Sequence, residues 1–361
     1  MADSLPQPHV PRCVLVTGGC GFIGANFVRY LLESDPRVRV VNLDALTYAG
    51  NPANLSDIPT RFIARYHFVQ GDIVDEPGVA RLFAEYAPDT VVHFAAESHV
   101  DRSIDGPAAF LRTNVTGTFV LLQAARVAWG ERRDVRFHHV STDEVYGSLG
   151  ATGRFTEQTA YDPSSPYSAT KAASDHLVRA WHRTYGMPVS LSNCSNNYGP
   201  YQFPEKLIPL MIANALAGRP LPVYGDGANV RDWLFVGDHC TAIDVVMRQG
   251  RSGETYNVGG GAELANLALV EMLCRILDQV RPSQYAGGYR SLVTFVADRP
   301  GHDRRYAIDA GKIASELGWR PAQTIDSGMA TTIGWYLANA DWIADIQQRR
   351  YAGERLGLVK P

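Results

Sequence analysis

The sequence predicts an α/β fold, a doubly wound parallel sheet joined to a smaller, discontinuous C-terminal α/β domain. Three observations predict it. Short β-type runs alternate with helical patterns through the first half of the chain, the signature of a parallel sheet covered by helices. The first strand runs into a glycine turn that opens a helix, Gly18-Gly19-Cys20-Gly21-Phe22-Ile23-Gly24. A later strand, residues 137–140, empties into Ser141-Thr142-Asp143-Glu144. Burying an unpaired carboxylate costs several kcal/mol or more, so this polar cluster has a chemical rather than a stabilising role. It would fall outside the carboxyl ends of the strands, where open α/β sheets bind their ligands.

The elements follow in order. Residues 12–17 are a β-type run, and a helical pattern covers 25–32 behind the glycine turn. The spacing G-x-x-G-x-x-G between strand and helix marks a Rossmann-type dinucleotide site. Glycine lets the backbone approach a pyrophosphate, and the helix start offers unpaired N–H groups at the positive end of a dipole. A second strand, 38–43, ends in Asp44, 20 positions past Gly24, where an acidic side chain binds adenosine ribose hydroxyls. A carboxylate there repels a 2′-phosphate and no arginine follows it, so the expected cofactor is NAD rather than NADP. A third strand, 67–70, leads to Asp72, which is placed to meet the adenine amino group, and a helix over 77–86 follows. The fourth strand, 90–94, empties into Ala95-Ala96-Glu97-Ser98. The small residues let a cofactor lie close, and Ser98 faces the substrate side. A helix over 108–129 then leads to the strand at 137–140.

Bulk properties exclude several functions. A net charge of −3 and a pI near 6.4 create no field for nucleic acid or an anionic membrane. With 45% hydrophobic and 20% charged residues the composition is that of a globular protein. No apolar run approaches the roughly 18 residues needed to span a bilayer, and residues 1–11 do not resemble a signal peptide. Five scattered cysteines suit reduced thiols in a cytoplasm, and none has zinc spacing, so no metal is expected.

After a polar loop, 150–166, comes Tyr167-Ser168-Ala169-Thr170-Lys171, opening a helix to about residue 185. Tyr167 and Lys171 share a helix face. To act as a base near neutral pH a tyrosine hydroxyl needs roughly 4 kcal/mol of differential stabilisation of its charged form. A unit charge about 4 Å away supplies about that much at an effective dielectric near 20, so Lys171, helped by an oxidised nicotinamide, suffices in principle.

With the glycine motif, Ser141 or Thr142, Tyr167 and Lys171 together, the chain resembles the extended short-chain dehydrogenase/reductase family. The strings Ser141-Thr142-Asp143-Glu144-Val145-Tyr146-Gly147, Asn196-Asn197-Tyr198-Gly199-Pro200-Tyr201-Gln202-Phe203-Pro204-Glu205-Lys206-Leu207 and Asp298-Arg299-Pro300-Gly301-His302-Asp303-Arg304-Arg305-Tyr306 are similar to those of the dTDP-glucose 4,6-dehydratases, and the likeness runs over 14–339. It implies oxidation of glucose C4 by Tyr167 and NAD, loss of water across C5 and C6 with Glu144 as base and Asp143 as acid, and return of the hydride to C6. Thr142 would hydrogen-bond the C4 oxygen. Cofactor contacts are expected from Gly18, Gly21, Phe22, Ile23, Gly24, Asp44, Leu46, Thr47, Asp72, Ile73, Phe94, Ala95, Ala96, Ser98, Thr113, Tyr167, Lys171 and Asn197. Substrate contacts are expected from Ser98, Thr142, Asn196, Lys206, Leu207, Pro222, Tyr224, Arg231, Asn266, Arg299 and His302. Tyr224 would pack on a base, and at least one of Arg231, Arg299, Arg304 and Arg305 would hold pyrophosphate, for which a planar guanidinium is suited. Leu264 and Ala265 stand where polar residues are common in the family.

The expected division is a NAD-binding domain over 12–195, to which a strand near 230–260 returns, and a sugar-nucleotide domain over 196–340, with 1–11 and 341–361 as terminal extensions. A homodimer through a four-helix bundle of 108–129 and 168–185 is expected from the family. The alternatives are a dehydratase acting on UDP-glucose or a GDP-sugar, a 4-epimerase or decarboxylase, which would not need the Asp143-Glu144 pair, and a catalytically silent NAD-binding sensor or scaffold.

Overall fold

The computed structural model describes residues 8–298 and 303–349. Twelve strands are present among them: β1 (Cys13–Thr17), β2 (Arg39–Asp44), β3 (Tyr66–Gln70), β4 (Thr90–His93), β5 (Arg136–Thr142), β6 (Val189–Cys194), β7 (Asn196–Tyr198), β8 (Leu221–Tyr224), β9 (Val230–Phe235), β10 (Thr255–Val258), β11 (Glu263–Ala265) and β12 (Val293–Val296). Seven of them form one sheet in the order β10-β6-β5-β4-β1-β2-β3, every pair parallel. The order reverses between β1 and β4, which opens the crevice where doubly wound sheets bind ligands.

Helices cover both faces, so the central strands are buried throughout; every residue of β1, β4, β5 and β6 is buried. One face packs Leu15, Val41, Val91 and Phe137 against the helices Glu76–Tyr86 and Thr118–Trp129. The other packs Val14, Val16, Val40 and Val92 against Phe27, Val28 and Leu31 of the helix Phe22–Ser34, and against Ile243 and Met247 of Val236–Gln249. The second core gathers Ile208, Met211, Leu221, Leu269, Leu273, Met329 and Tyr336. It lies among the helices Leu207–Leu216, Asn266–Val280 and Ile325–Ala338, the three-stranded sheet β11-β9-β7 and the pair β12-β8. The chain passes between the two cores more than once: β9 leads to a helix on the large sheet, β10 joins that sheet beside β6, and β11 returns to β9.

Three local features differ from the sequence expectation. Strand β5 runs past 140, because Ser141 and Thr142 pair with Asn193 and Cys194 of β6. The stretch expected as one helix over 108–129 is interrupted by a π-helical turn, Leu111–Gly117. There the Asn114 carbonyl accepts from Thr118 Oγ1 at 2.6 Å and from Ser174 Oγ at 2.7 Å, while the Asn114 side chain brackets the Glu97 backbone. Such turns mark functional positions. Residues 341–349, taken from sequence as part of a terminal extension, belong to a helix, Ala340–Arg349. Its apolar stripe is narrow, which hides it in the sequence, yet Ile343 and Ile346 are buried and Trp342 packs on Tyr201 and Trp335.

Candidate active site

A cavity of about 470 Å³ runs along the carboxyl ends of the large sheet, from the glycine turn to the start of the helix Pro166–Tyr185. At one end, Gly18 has φ +72° and its backbone lies on the chain after β4: a Cβ there would sit 2.8 Å from Ala95 Cα. A Cβ on Gly24 would sit 2.3 Å from the Gly18 carbonyl oxygen. The turn therefore closes only with glycine at both positions. The helix it opens has Gly21 at its N-cap and no side-chain cap, so its N–H groups are left for a ligand. Asp44, at the end of β2, accepts from Cys20 N and Leu46 N, both at 2.8 Å, which fixes its carboxylate beside the turn. Uncapped helix, closed glycine turn and acidic strand end fit a dinucleotide.

Of the expected cofactor residues, Gly18, Gly21, Phe22, Ile23, Gly24, Asp44, Thr47, Asp72, Ile73, Phe94, Ala95, Ala96, Ser98, Thr113, Tyr167, Lys171 and Asn197 line this cavity. Leu46 does not; its φ of 54° turns the chain, and its side chain packs on the hydrophobic core. Asp72 carries a partner that the sequence did not suggest, Arg112, whose Nη1 donates to Oδ2 at 2.8 Å.

The reactive cluster sits at the end of β5. Thr142 Oγ1 accepts from Glu144 N at 3.3 Å and so caps the short turn Asp143–Tyr146. Asp143 is 1% exposed and its Oδ2 has no hydrogen-bond partner among the described residues. Burial, then the neighbouring Glu144 and Asp232, push its carboxyl well above the usual carboxylate range, which favours the protonated form. Tyr167 stands in the first turn of its helix, which a reciprocal Ser165–Ser168 capping box anchors. Lys171 Nζ donates to Val140 O at 2.9 Å and lies 3.4 Å from His139 Nε2.

The electrostatic argument made from sequence does not hold for the chain alone. Burial, then Glu144, push the Tyr167 hydroxyl well above its ordinary value, and the hydrogen bond with Thr142 draws it only partly down. Burial lowers the Lys171 ammonium in turn. A helix spacing puts Tyr167 and Lys171 on one face, but it carries no information about the desolvation both groups undergo.

On the substrate side Ser98, Thr142, Asn196 and Lys206 line the cavity. Asn196 Oδ1 is buried without a hydrogen-bond partner among the described residues, and Lys206 Nζ donates to Ser98 O at 3.4 Å. Leu207, Pro222, Tyr224, Arg231 and Asn266 lie off this wall. Arg231 and Leu264 pair across β9 and β11, and Asn266 N donates to Asn229 O, so Arg231 and Asn266 share one neighbourhood. The Arg231 guanidinium donates to Asp303 O at 2.9 Å and lies over the Tyr306 ring, 4.3 Å from its centroid. It also draws the Asp143 carboxyl down, which brings this neighbourhood up to the reactive cluster. Arg299 and His302 fall outside the described residues.

Sequence reading missed Tyr48, Glu97, Phe203 and Glu205, all of which line the cavity. Arg102 holds Glu205 by an ion pair at 3.2 Å and lies over the Tyr48 ring, 4.3 Å from its centroid. The available signal was the placing of Glu205 directly before Lys206. Among the described residues no group of three His, Cys, Asp or Glu side chains could hold a metal ion, and no helix is long and apolar enough to cross a membrane.

Comparison with known proteins agrees with this geometry. The family model described as GDP-mannose 4,6 dehydratase matches residues 15–332. The dTDP-glucose 4,6-dehydratase of Xanthomonas campestris pv. campestris (strain B100) is 60% identical over 351 residues, covering 96% of this chain and 99% of that protein. The enzyme of the same name from Salmonella typhimurium (strain LT2) is 54% identical over 352 residues, covering 94% of this chain and 96% of that protein. A crystal structure of dTDP-glucose 4,6-dehydratase from Streptomyces venezuelae, with NAD bound, superposes with a TM-score of 0.84 at 50% identity, covering 92% of this chain and 99% of that one. The UDP-glucose 4-epimerase of Thermotoga maritima gives 0.80 at 27% identity, covering 91% and 99%. The scaffold is thus shared with epimerases, whereas the high identity lies with dehydratases. The chain belongs to the nucleotide-sugar 4,6-dehydratases of the short-chain dehydrogenase/reductase type, within their dTDP-glucose 4,6-dehydratase branch.

Proposed function

We propose that this protein is an NAD-dependent hydro-lyase that converts dTDP-glucose to dTDP-4-keto-6-deoxyglucose and water. The observation that carries the reading is the buried Asp143, whose carboxyl is pushed toward its protonated form, next to Glu144, in one cavity with Tyr167 and a dinucleotide-type glycine turn. A dehydrogenase or a 4-epimerase has no use for this pair. An elimination needs both an acid and a base, with environments that differ.

NAD would be held by the glycine turn, by Asp44 at the adenosine ribose, by Asp72 and Ile73 at the adenine, and by the small residues after β4. When bound, it supplies a positive charge beside Tyr167 and accepts the hydride of C4, later returned to C6. Thr142 Oγ1 holds the C4 oxygen, and Tyr167 takes the C4 hydroxyl proton as its phenolate, the form that Lys171 and the positive charge of the bound cofactor would favour against burial. Once C4 is a ketone, the C5 proton is acidic enough for the Glu144 carboxylate to remove, and Glu144 gives a proton back to C5 after C6 has received the hydride. Asp143 gives its proton to the C6 hydroxyl, which leaves as water. Asn196 and Lys206 orient the sugar. Pro222, Tyr224, Arg231 and Asn266 form the adjoining nucleotide subsite.

Exposed apolar side chains support a homodimer: Leu111, Phe119 and Val127 on 111–129, and Tyr185 at the end of the helix Pro166–Tyr185. These helices would form the four-helix bundle. All five cysteines are buried and none forms a disulfide, which agrees with a cytoplasmic enzyme.

The test is to compare turnover of dTDP-glucose, UDP-glucose and GDP-mannose, following the 4-ketone by its absorbance in alkali. Turnover of dTDP-glucose at least tenfold faster than of the other two is expected. Epimerised product without ketone would overturn the reading.

A further inference from the structure

A carboxylate that the reaction does not use lies directly behind the reactive cluster. Asp175 is fully buried, one helical turn beyond Lys171 on the same face. Its Oδ2 accepts from Ser141 Oγ at 2.9 Å and from Tyr161 OH at 2.8 Å. Its Oδ1 lies 3.2 Å from His139 Nε2, and that same nitrogen is 3.4 Å from Lys171 Nζ. Three separate segments meet on this one group: β5 through His139 and Ser141, the loop before the helix through Tyr161, and the helix itself.

The bland reading is a buried counter-ion that stabilises the fold. The placement of its partners argues for more. Ser141 immediately precedes Thr142, and His139 Nε2 has both the Asp175 carboxylate and the Lys171 ammonium within reach. We propose that Asp175 is a positioning residue for the C4 oxidation, which, with His139 Nε2 as its donor, fixes the end of β5 under Thr142 and by its negative charge keeps the Lys171 ammonium beside Tyr167. This rests on the roles given above to Thr142, Tyr167 and Lys171.

The groups around Lys171 make its charge depend on Asp175. Lys171 is faced by His93 from β4, His139 from β5, Cys194 from β6, and Tyr167 and Asp175 from its own helix, while Arg179 and Tyr161 act on Asp175. Burial lowers the ammonium, and the Asp175 carboxylate is the largest influence in the other direction. Burial pushes the Asp175 carboxyl up, but His139, Lys171 and Arg179 together outweigh it and hold it below the usual carboxylate range. Removing this charge leaves a buried ammonium without its main anionic neighbour. Lys171 then loses its proton at a lower pH, and the positive charge next to Tyr167 disappears there.

The experiment is a pH series of single-turnover C4 oxidation, read as nicotinamide reduction on mixing with dTDP-glucose, in wild type, Asp175→Asn, Ser141→Ala and Tyr161→Phe. NAD affinity is measured alongside by fluorescence titration. For Asp175→Asn the alkaline limb should move down by at least one pH unit and the rate at pH 8 should fall at least tenfold, with NAD affinity within about fivefold of wild type. Ser141→Ala and Tyr161→Phe remove one hydrogen bond and no charge, and should leave the alkaline limb in place. An unmoved limb in Asp175→Asn, or equal movement in all three variants, would overturn the proposal. If Asp175→Asn is insoluble, His139→Gln decides instead: a tenfold slower C4 oxidation at unchanged KM is expected, and a wild-type rate refutes it. Wild-type turnover of dTDP-glucose tests the underlying function by itself, whereas the displacement of the limb tests Asp175.

Discussion

The indole N–H of Trp342 donates to Oδ1 of Asn54 at 2.9 Å, joining the last described helix to the segment behind the glycine turn. Asn54 in turn donates through Nδ2 to the Cys20 carbonyl, also at 2.9 Å. Trp342 therefore braces the cofactor turn from the far end of the chain. A net hydrogen bond is worth about 1 kcal/mol, so Trp342→Phe should weaken NAD binding by roughly threefold to tenfold. Fluorescence titration measures this, and wild-type affinity would show that the brace does not reach the turn.

The buried acid makes an opposite pair of predictions for activity and stability. The Asp143 carboxyl is raised in the folded state, so the folded protein binds this proton more tightly than the unfolded chain does. The folded state therefore loses stability as pH rises from the unfolded carboxylate value toward the folded one. Asp143→Asn should raise the melting temperature at pH 8, with the gain vanishing below about pH 4. It should also slow water loss by about 10² to 10⁴. A melting temperature below wild type at pH 8 would contradict a neutral Asp143.

Glu144 acts on two groups. With Glu144→Gln, C4 oxidation should continue while exchange of the C5 hydrogen with deuterated solvent, followed by mass spectrometry, is lost. Because Glu144 raises Tyr167, its neutralisation should also shift the rising limb of C4 oxidation to lower pH. Retained exchange would remove Glu144 from the base role.

At the glycine turn, Gly24→Ala places a methyl group 2.3 Å from the Gly18 carbonyl oxygen, a contact that backbone atoms cannot absorb by rotation. NAD affinity should fall by at least a hundredfold in an otherwise folded protein, as measured by titration and circular dichroism. An affinity within threefold of wild type would show that the turn relaxes.

What could be read from sequence was what is local. The glycine turn, Asp44, the end of β5 and the Tyr167–Lys171 spacing are each encoded within a few residues of one another, in an alternating pattern that fixes their side of the sheet. The unread part joins distant segments. Arg102 with Glu205, Asp175 with Ser141, and Trp342 with Asn54 leave no periodic trace. The π-helical turn at Asn114 depends on a hydroxyl from Ser174, sixty residues on. The behaviour of Tyr167 was misjudged for a related reason, since spacing reports proximity to Lys171 but not the loss of water around both.

Strand β10 has a bearing on how this chain is made. Until residues 255–258 leave the ribosome, β6 is an open edge with unpaired amides and carbonyls. At about 5–20 residues per second, the roughly sixty intervening residues leave that edge uncovered for about 3 to 12 seconds. Those residues include β7, β8 and β9, so the second core begins to assemble before the first is closed. A messenger cut short between the two strands would release a sheet primed to pair with its neighbours, and nascent-chain quality control has only those seconds in which to shield it.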